Sequence, residues 1–259
     1  MGCDRSGVDE LSRAIAFSRA FDRRRVERIV KTPHGEALLT PSLPLVRHRN
    51  HLSVDLGADV SAEQLVAEAE PVFVEAELRH RKITVDDDLG EQLAPRFREL
   101  GWKVEELLVM VHRGPLPDLD TSTVEEAAGE ELEPLWIAGM RAEISDEEEI
   151  RQLVTAQHGR RLGAEVRYFA ARLDGQLASY CEHFLADRVG QVESVMTLEP
   201  FRKRGLAKAV VTRALEQSVR SRNDLTFICA AADDWPKELY RKLGFETVGR
   251  MWDFLRAPM

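Results

Sequence analysis

Cysteine is scarce in this chain of 259 residues: there are three, Cys3, Cys181 and Cys229. Their spacing fits neither a metal knuckle nor a disulfide framework, so no metal and no disulfide is expected to hold the fold. Long apolar runs are missing too. No run of about 18 apolar residues occurs, and no charged-then-apolar leader opens the chain, so the expectation is a soluble, cytoplasmic protein with no membrane partner. Positive charge is not in excess. Lys and Arg number 36 against 45 Asp and Glu, a net charge of -9, which argues against a general nucleic-acid binder. Disorder is excluded in turn, because 44% hydrophobic residues suffice for real cores. The excess of Arg over Lys points to a GC-rich, bacterial genome.

What basic charge there is concentrates in one place. Residues 202–208 read Arg202-Lys203-Arg204-Gly205-Leu206-Ala207-Lys208, between an apolar strand (192–198) and an amphipathic helix starting near Gly205. A helix start presents backbone N–H groups without acceptors, and the helix dipole favours an anion there. Gly205 lets the backbone approach a phosphate with no Cβ in the way. The same residues would also suit a solvated basic turn. Further on, a strand (225–230) precedes Asp233-Asp234-Trp235-Pro236 and then Leu239-Tyr240-Arg241-Lys242-Leu243-Gly244-Phe245. Gly244 is placed to end a helix in the left-handed conformation. Cys181 and Cys229 fall in apolar strands and read as buried thiols.

The glycine turn and the tyrosine-bearing helix end together resemble the GCN5-related N-acetyltransferase family over residues 123–259. The fold implied is α/β (α+β): a mixed, mostly antiparallel sheet flanked by helices. The resemblance implies acetyl-CoA as co-substrate, its pyrophosphate on residues 202–208. The backbone of Val195, Met196 and Thr197 would pair with the pantetheine arm like an added strand. Two departures stand out: Asp233, where the family commonly has asparagine, and Pro236, where it has alanine. An ionised aspartate cannot donate to the pantetheine.

The chemistry follows from need. An alkylamine has a pKa near 10.4, so a base must take its proton, and a departing thiolate must gain one. Tyr240 is the candidate proton donor to the sulfur, the other reading being a core tyrosine on its helix, and Glu193 is the candidate base, directly or through water, the other reading being a solvated or hydrogen-bonded strand carboxylate. Glu182 and His183 are alternatives for the base, and His183 reads more as a structural residue. Direct transfer is expected rather than an acyl-enzyme. The acidic helices (130–141 and 145–161, the second with a Ser145 capping pattern) would line the acceptor pocket, their carboxylates reading mainly as a solvated face.

The first half repeats the order of the second. A strand (51–56), a helix capped by Ser61, a strand (82–85), a helix (88–100) and a strand (102–112) lead to Phe97-Arg98-Glu99-Leu100-Gly101-Trp102. That segment aligns with Tyr240–Phe245 at an offset of 143 residues (240 − 97), a diverged internal repeat. Two unrelated α/β segments could share such an ending. In the first copy the turn Gly57-Ala58-Asp59-Val60-Ser61-Ala62-Glu63 carries carboxylates and no cation, and Phe97 stands at the tyrosine position. The division expected is therefore a degenerate, non-catalytic domain over 1–114, a Pro-rich linker over 115–122 and a catalytic domain over 123–259. An amphipathic helix over 8–24 would pack on a domain. The function expected is N-acetylation of a primary amine on a small molecule or peptide, by a monomer or homodimer. Two other readings stand beside it: a non-catalytic acyl-CoA-binding regulatory module, and a biosynthetic step like that of mycothiol synthase, which also pairs two such domains.

Overall fold

Alternating apolar residues and glycine turns lay out the elements. The computed structural model describes residues 5–257; Cys3 lies outside them. Helix α1 (Arg5–Arg25) leads to β1 (Arg28–Thr32), β2 (Gly35–Leu39), β3 (His51–Val54) and α2 (Ala62–Glu75). Then come β4 (Arg81–Val85), α3 (Leu89–Glu99) and β5 (Lys103–His112). Residues 113–123 carry no helix or strand. The second half runs β6 (Val124–Ala127), α4 (Gly129–Arg141), α5 (Glu147–His158), β7 (Glu165–Leu173), β8 (Gln176–Ala186) and β9 (Val189–Thr197). It closes with α6 (Leu206–Arg220), β10 (Leu225–Ala231), α7 (Pro236–Lys242) and β11 (Phe245–Arg256).

Turn chemistry explains the joints. Asp174 and Gly175, at φ 52° and 78°, make the tight turn between antiparallel β7 and β8. Gly101 and Gly244 end α3 and α7 at φ 78° and 88°. Ser61 caps α2 in a full capping box with Gln64. Three expectations change. The cap of α5 is Asp146 rather than Ser145, its carboxylate accepting from the amides of Glu148 and Glu149. Strand β3 stops at Val54, because the last ladder bond, from the Asp55 amide to the His34 carbonyl, reaches the turn before β2 and Gly57 then takes φ 72°. The hairpin of β1 and β2 is absent from the sequence reading. Strand β2, Gly-Glu-Ala-Leu-Leu, has no β-branched residue and is buried throughout, so burial rather than propensity makes it a strand.

All eleven strands of the described residues join one sheet, in the order β1-β2-β3-β4-β11-β5-β10-β9-β8-β7-β6. The units β3-α2-β4-α3-β5 and β9-α6-β10-α7-β11 run in the same order, each with its first strand pair parallel. Their last strands are exchanged. Strand β11 lies between β4 and β5, and β5 lies between β11 and β10. The cores follow the exchange. Trp252 and Phe254 of β11 pack with Leu52, Phe73, Ile83 and Phe97 of the first half. Leu108 and Met110 of β5 pack with Val192, Val210, Ile228 and Tyr240 of the second. Across the opposite face, α1 lays Ala14, Phe17 and Phe21 on Val109, Val111, Phe184 and Phe227, bridging both halves.

Candidate functional site

Strands β9 and β10 run parallel and in register from Leu225 opposite Val189 to Ile228 opposite Val192, and there their pairing ends. Both strands continue, to Thr197 and Ala231, so they part into a wedge. A bulge accompanies the parting. Ser194 sits at φ 52°, and the register with β8 slips between Tyr180 and Glu182. Val195, Met196 and Thr197 line the β9 side of the wedge without a β10 partner, which leaves an edge suited to an extended ligand arm.

The wedge leads to the start of α6. Gly205, at φ 82°, is its N-cap, and no side chain caps the helix. A Cβ at Gly205 would meet open space, so the glycine is required by its backbone angle rather than by crowding. Arg202, Lys203, Arg204 and Gly205 are exposed, Ala207 and Lys208 half-buried, and Leu206 buried against the core. Arg202 donates to the Thr197 carbonyl at 3.2 Å. Among the described residues no carboxylate pairs with Lys203, Arg204 or Lys208, although most other arginines of this acidic chain are in ion pairs. Uncapped amides and unpaired cations together favour an anion of high charge. The start of α2 differs. Ser61 and Gln64 close it, Glu63 pairs with Arg96, and the Gly57 amide donates to Asp87 at 2.8 Å.

Tyr240 and Glu193 reach the wedge from opposite faces of the sheet. Tyr240 is 6% exposed and packs on the α6 side with Val192, Cys181 and Ile228. Burial, and then the Glu193 carboxylate, push its phenol above the usual 10, so it is held protonated. Glu193, next along β9 from Val192, points the other way and lines a cavity of about 390 Å³ under α1. Its carboxylate accepts from Gln191 Nε2 at 2.7 Å and from the Ser194 amide. Burial raises its pKa above the ordinary 4.5, against the pull of Arg160. That shift brings a carboxylate closer to the range a base needs at neutral pH.

The remaining titratable groups sort themselves. Glu182, opposite Glu193 on β8, is fully buried and held by Arg160 and Gln157, so it is committed to an ion pair. His183 is fully buried with both ring nitrogens unpartnered, its pKa lowered to about 3 by burial. Both thiols are kept protonated by burial, and Cys181 donates to the Val210 carbonyl at 3.2 Å. The acidic side chains of α4 and α5 are largely paired on the surface, Glu130 with Arg161 and Glu147 with Arg141. Asp233 is exposed. Sequence reasoning missed the cavity itself, whose lining includes Asp22 and Arg25 of α1, His48, His51, Lys82 and Asp253. No local pattern marks these residues, because strand exchange and α1 gather them from both halves. Among the described residues no cluster of three or more His, Cys, Asp or Glu is arranged to hold a metal, and no helix is long and apolar enough to cross a membrane.

The chain is a mixed sheet opened between two parallel strands, with an uncapped cationic helix terminus at the opening. It is the fold of the GCN5-related N-acetyltransferases, built twice in one chain, and residues 172–253 match the family model described as FR47-like protein. A functionally unknown conserved protein from Staphylococcus epidermidis ATCC 12228 superposes with a TM-score of 0.71 at 14% identity, over 90% of this chain and 95% of that one. A GCN5-related N-acetyltransferase from Kribbella flavida gives 0.66 at 20% identity, over 95% of this chain and 94% of that one. A tandem GNAT protein from the clavulanic acid biosynthesis pathway gives 0.57 at 17% identity, over 89% and 82%. At these identities the likeness is one of fold. No curated protein matches the sequence.

Proposed function

We propose that the protein transfers the acetyl group of acetyl-CoA directly to a primary amine, on a small molecule or peptide. Residues 123–259 would form the catalytic unit, 115–122 the linker, and 1–114 a partner that carries no chemistry of its own. The observation behind this reading is the wedge between β9 and β10, which ends on the uncapped, cation-ringed start of α6. The equivalent start of α2 is closed by its own side chains, which supports one cofactor site per chain.

Each residue then has a task. Gly205, Leu206 and Ala207 offer backbone amides to the pyrophosphate, and Arg202, Lys203, Arg204 and Lys208 balance its charge. Val195, Met196 and Thr197 hold the pantetheine by strand-like hydrogen bonds. Bound acetyl-CoA supplies a thioester whose acyl carbon is open to attack. Glu193 takes the proton of the incoming amine from the cavity side. Tyr240, on the other face, offers its phenolic hydrogen to the sulfur as the carbon–sulfur bond breaks. Among the described residues neither thiol, Cys181 or Cys229, suits an acyl-enzyme, because burial keeps both protonated.

Calorimetric titration with acetyl-CoA, followed by turnover of Tyr240→Phe, tests this. One bound acetyl-CoA per chain is expected, with kcat reduced roughly 100-fold in the variant and affinity unchanged. Two sites would overturn the assignment of the first half. An unchanged rate would remove Tyr240 from the mechanism.

A further inference from the structure

Strand alternation builds the cavity that Glu193 faces. Leu52, Ile83, Phe254 and Val192 turn into the two cores, so their neighbours His51, Lys82, Asp253 and Glu193 project from the opposite face, under α1. Asp22 and Arg25 of α1 roof the cavity, and His48 joins the lining from the turn Arg47–Arg49. Much of the lining therefore belongs to the first half, which lacks a cofactor cradle.

The charges of this lining are matched within the protein. Arg25 pairs with Asp22, Lys82 with Asp253 at 2.7 Å, and Arg160 with Glu182. No lining cation is left over to hold an anionic group. Of the lining carboxylates, Glu193 alone has no ion pair among the described residues, its hydrogen bonds coming from an amide side chain and a backbone N–H. The two lining imidazoles are the groups left without partners. Neither His48 nor His51 makes a hydrogen bond or an ion pair among the described residues. His51 is 5% exposed, and its Nδ1 is buried with no partner. Burial lowers the pKa of both from 6.5, so both are neutral. A neutral imidazole has one N–H and one free nitrogen, which suits a hydroxyl, itself both donor and acceptor. A buried polar group without a partner is costly, and a ligand hydroxyl recovers that cost.

We infer that the acceptor is an extended amine with a hydroxyl at its far end, the amine facing Glu193 and the hydroxyl hydrogen-bonded to His51, with His48 beside it. This rests on the acyltransfer reading of the same site. Extension follows from strand order. Strands β3 and β9 stand five steps apart in the sheet, about 24 Å when measured along it. Arg25 acts on the charge of both Glu193 and His51, so the direct span through the cavity is shorter than that path. The first half then has a task of its own, which is to select the acceptor.

The test uses probes matched in length: ω-amino alcohols from 4-amino-1-butanol to 10-amino-1-decanol, each against the alkylamine, the ω-amino acid and the α,ω-diamine of the same chain. Turnover with acetyl-CoA is read as thiol release, and binding to the protein alone is read as thermal shift. At the best length the amino alcohol is expected to exceed the alkylamine in kcat/KM by about fivefold or more, and to exceed both probes with a charged end. In His51→Phe the ratio of alcohol to alkylamine should collapse toward one through the KM of the alcohol, and His51→Gln should restore part of it. Without ligand, His51→Phe should melt no lower than the wild type, since it removes a buried polar group that has no partner. His48→Phe, on a half-buried turn, should lower the same ratio by a smaller factor. Equal or better use of the alkylamine, the acid or the diamine overturns the inference. So does an unchanged ratio in His51→Phe or, where that variant does not fold, in His48→Phe, and so does a panel in which no amino alcohol is either acetylated or bound. The acetyl-CoA titration reads the cofactor site separately: cofactor binding without preference for the hydroxyl sinks this inference alone. Amino alcohol binding that depends on His51 in a protein that ignores acetyl-CoA sinks the transferase reading instead.

Discussion

Glu193 and Tyr240 show how burial sets residue-level chemistry. Both are pushed toward their protonated forms by burial, and the Glu193 carboxylate adds to the cost of ionising Tyr240. A base must be deprotonated to act, so kcat/KM is expected to fall as pH drops. The midpoint of that fall should lie above the ordinary carboxylate value of 4.5, because the Glu193 pKa is raised. Glu193→Gln should lower kcat by roughly 100-fold and erase that acidic limb. A pH–rate profile of the variant that still shows the limb would assign it to another group. Glu193 was legible as a candidate from its place before the basic turn. Its lack of a partner was not, since that depends on which cations the fold brings within reach.

At the scale of elements, α6 and α2 are equivalent helices with opposite termini. One is closed by Ser61 and Gln64; the other is left open behind Gly205. Gly205→Glu would put a carboxylate where the proposed site would hold the pyrophosphate and force a side chain onto φ 82°. Acetyl-CoA affinity by calorimetry is expected to fall tenfold or more, with about 1 kcal/mol lost in stability from the backbone angle. The absence of cations around 57–63 was already readable, and so were the glycines ending α3 and α7, because these are local signals. The β9 bulge at Ser194 was not readable. No residue type marks it, and it exists through the slip of β9 against β8.

At the scale of the whole molecule, strand exchange ties the halves together. Removing residues 1–122 takes away β5, which fills the place between β10 and β11 and contributes Leu108 and Met110 to the second core. The fragment 123–259 is expected to be aggregated or unfolded by circular dichroism and size exclusion, while the full chain melts in one transition. A fragment that folds and binds acetyl-CoA would show the exchange to be dispensable. Acid stability also belongs to this scale. His80 and His183, their pKa values lowered to about 4 and about 3 by burial, are neutral when folded and bind protons on unfolding. Stability is therefore complete above the ordinary 6.5 and is lost as pH falls toward those values. Each proton taken up steepens the loss by about 1.4 kcal/mol per pH unit. Glu182 and Glu193, shifted upward, act in the opposite sense across the carboxylate range and blunt the lower end. Melting temperatures between pH 7 and 4 check this, and a flat profile would mean that the histidines are solvated.

The sequence by itself determined the elements with local causes: the glycine-ended helices, the turn at Asp174 and Gly175, the cap at Ser61, the open basic start of α6 and the repeat that relates the halves. Tertiary structure alone decided which strands became neighbours. It placed β11 in the first half's core and β5 in the second's, parted β9 from β10, and collected Arg25, His51, Arg160 and Glu193 around one cavity. The reason is physical. Propensity, capping and turn preference act over a few residues, whereas strand order and the pairing of buried charge depend on burying apolar faces that are far apart in the chain.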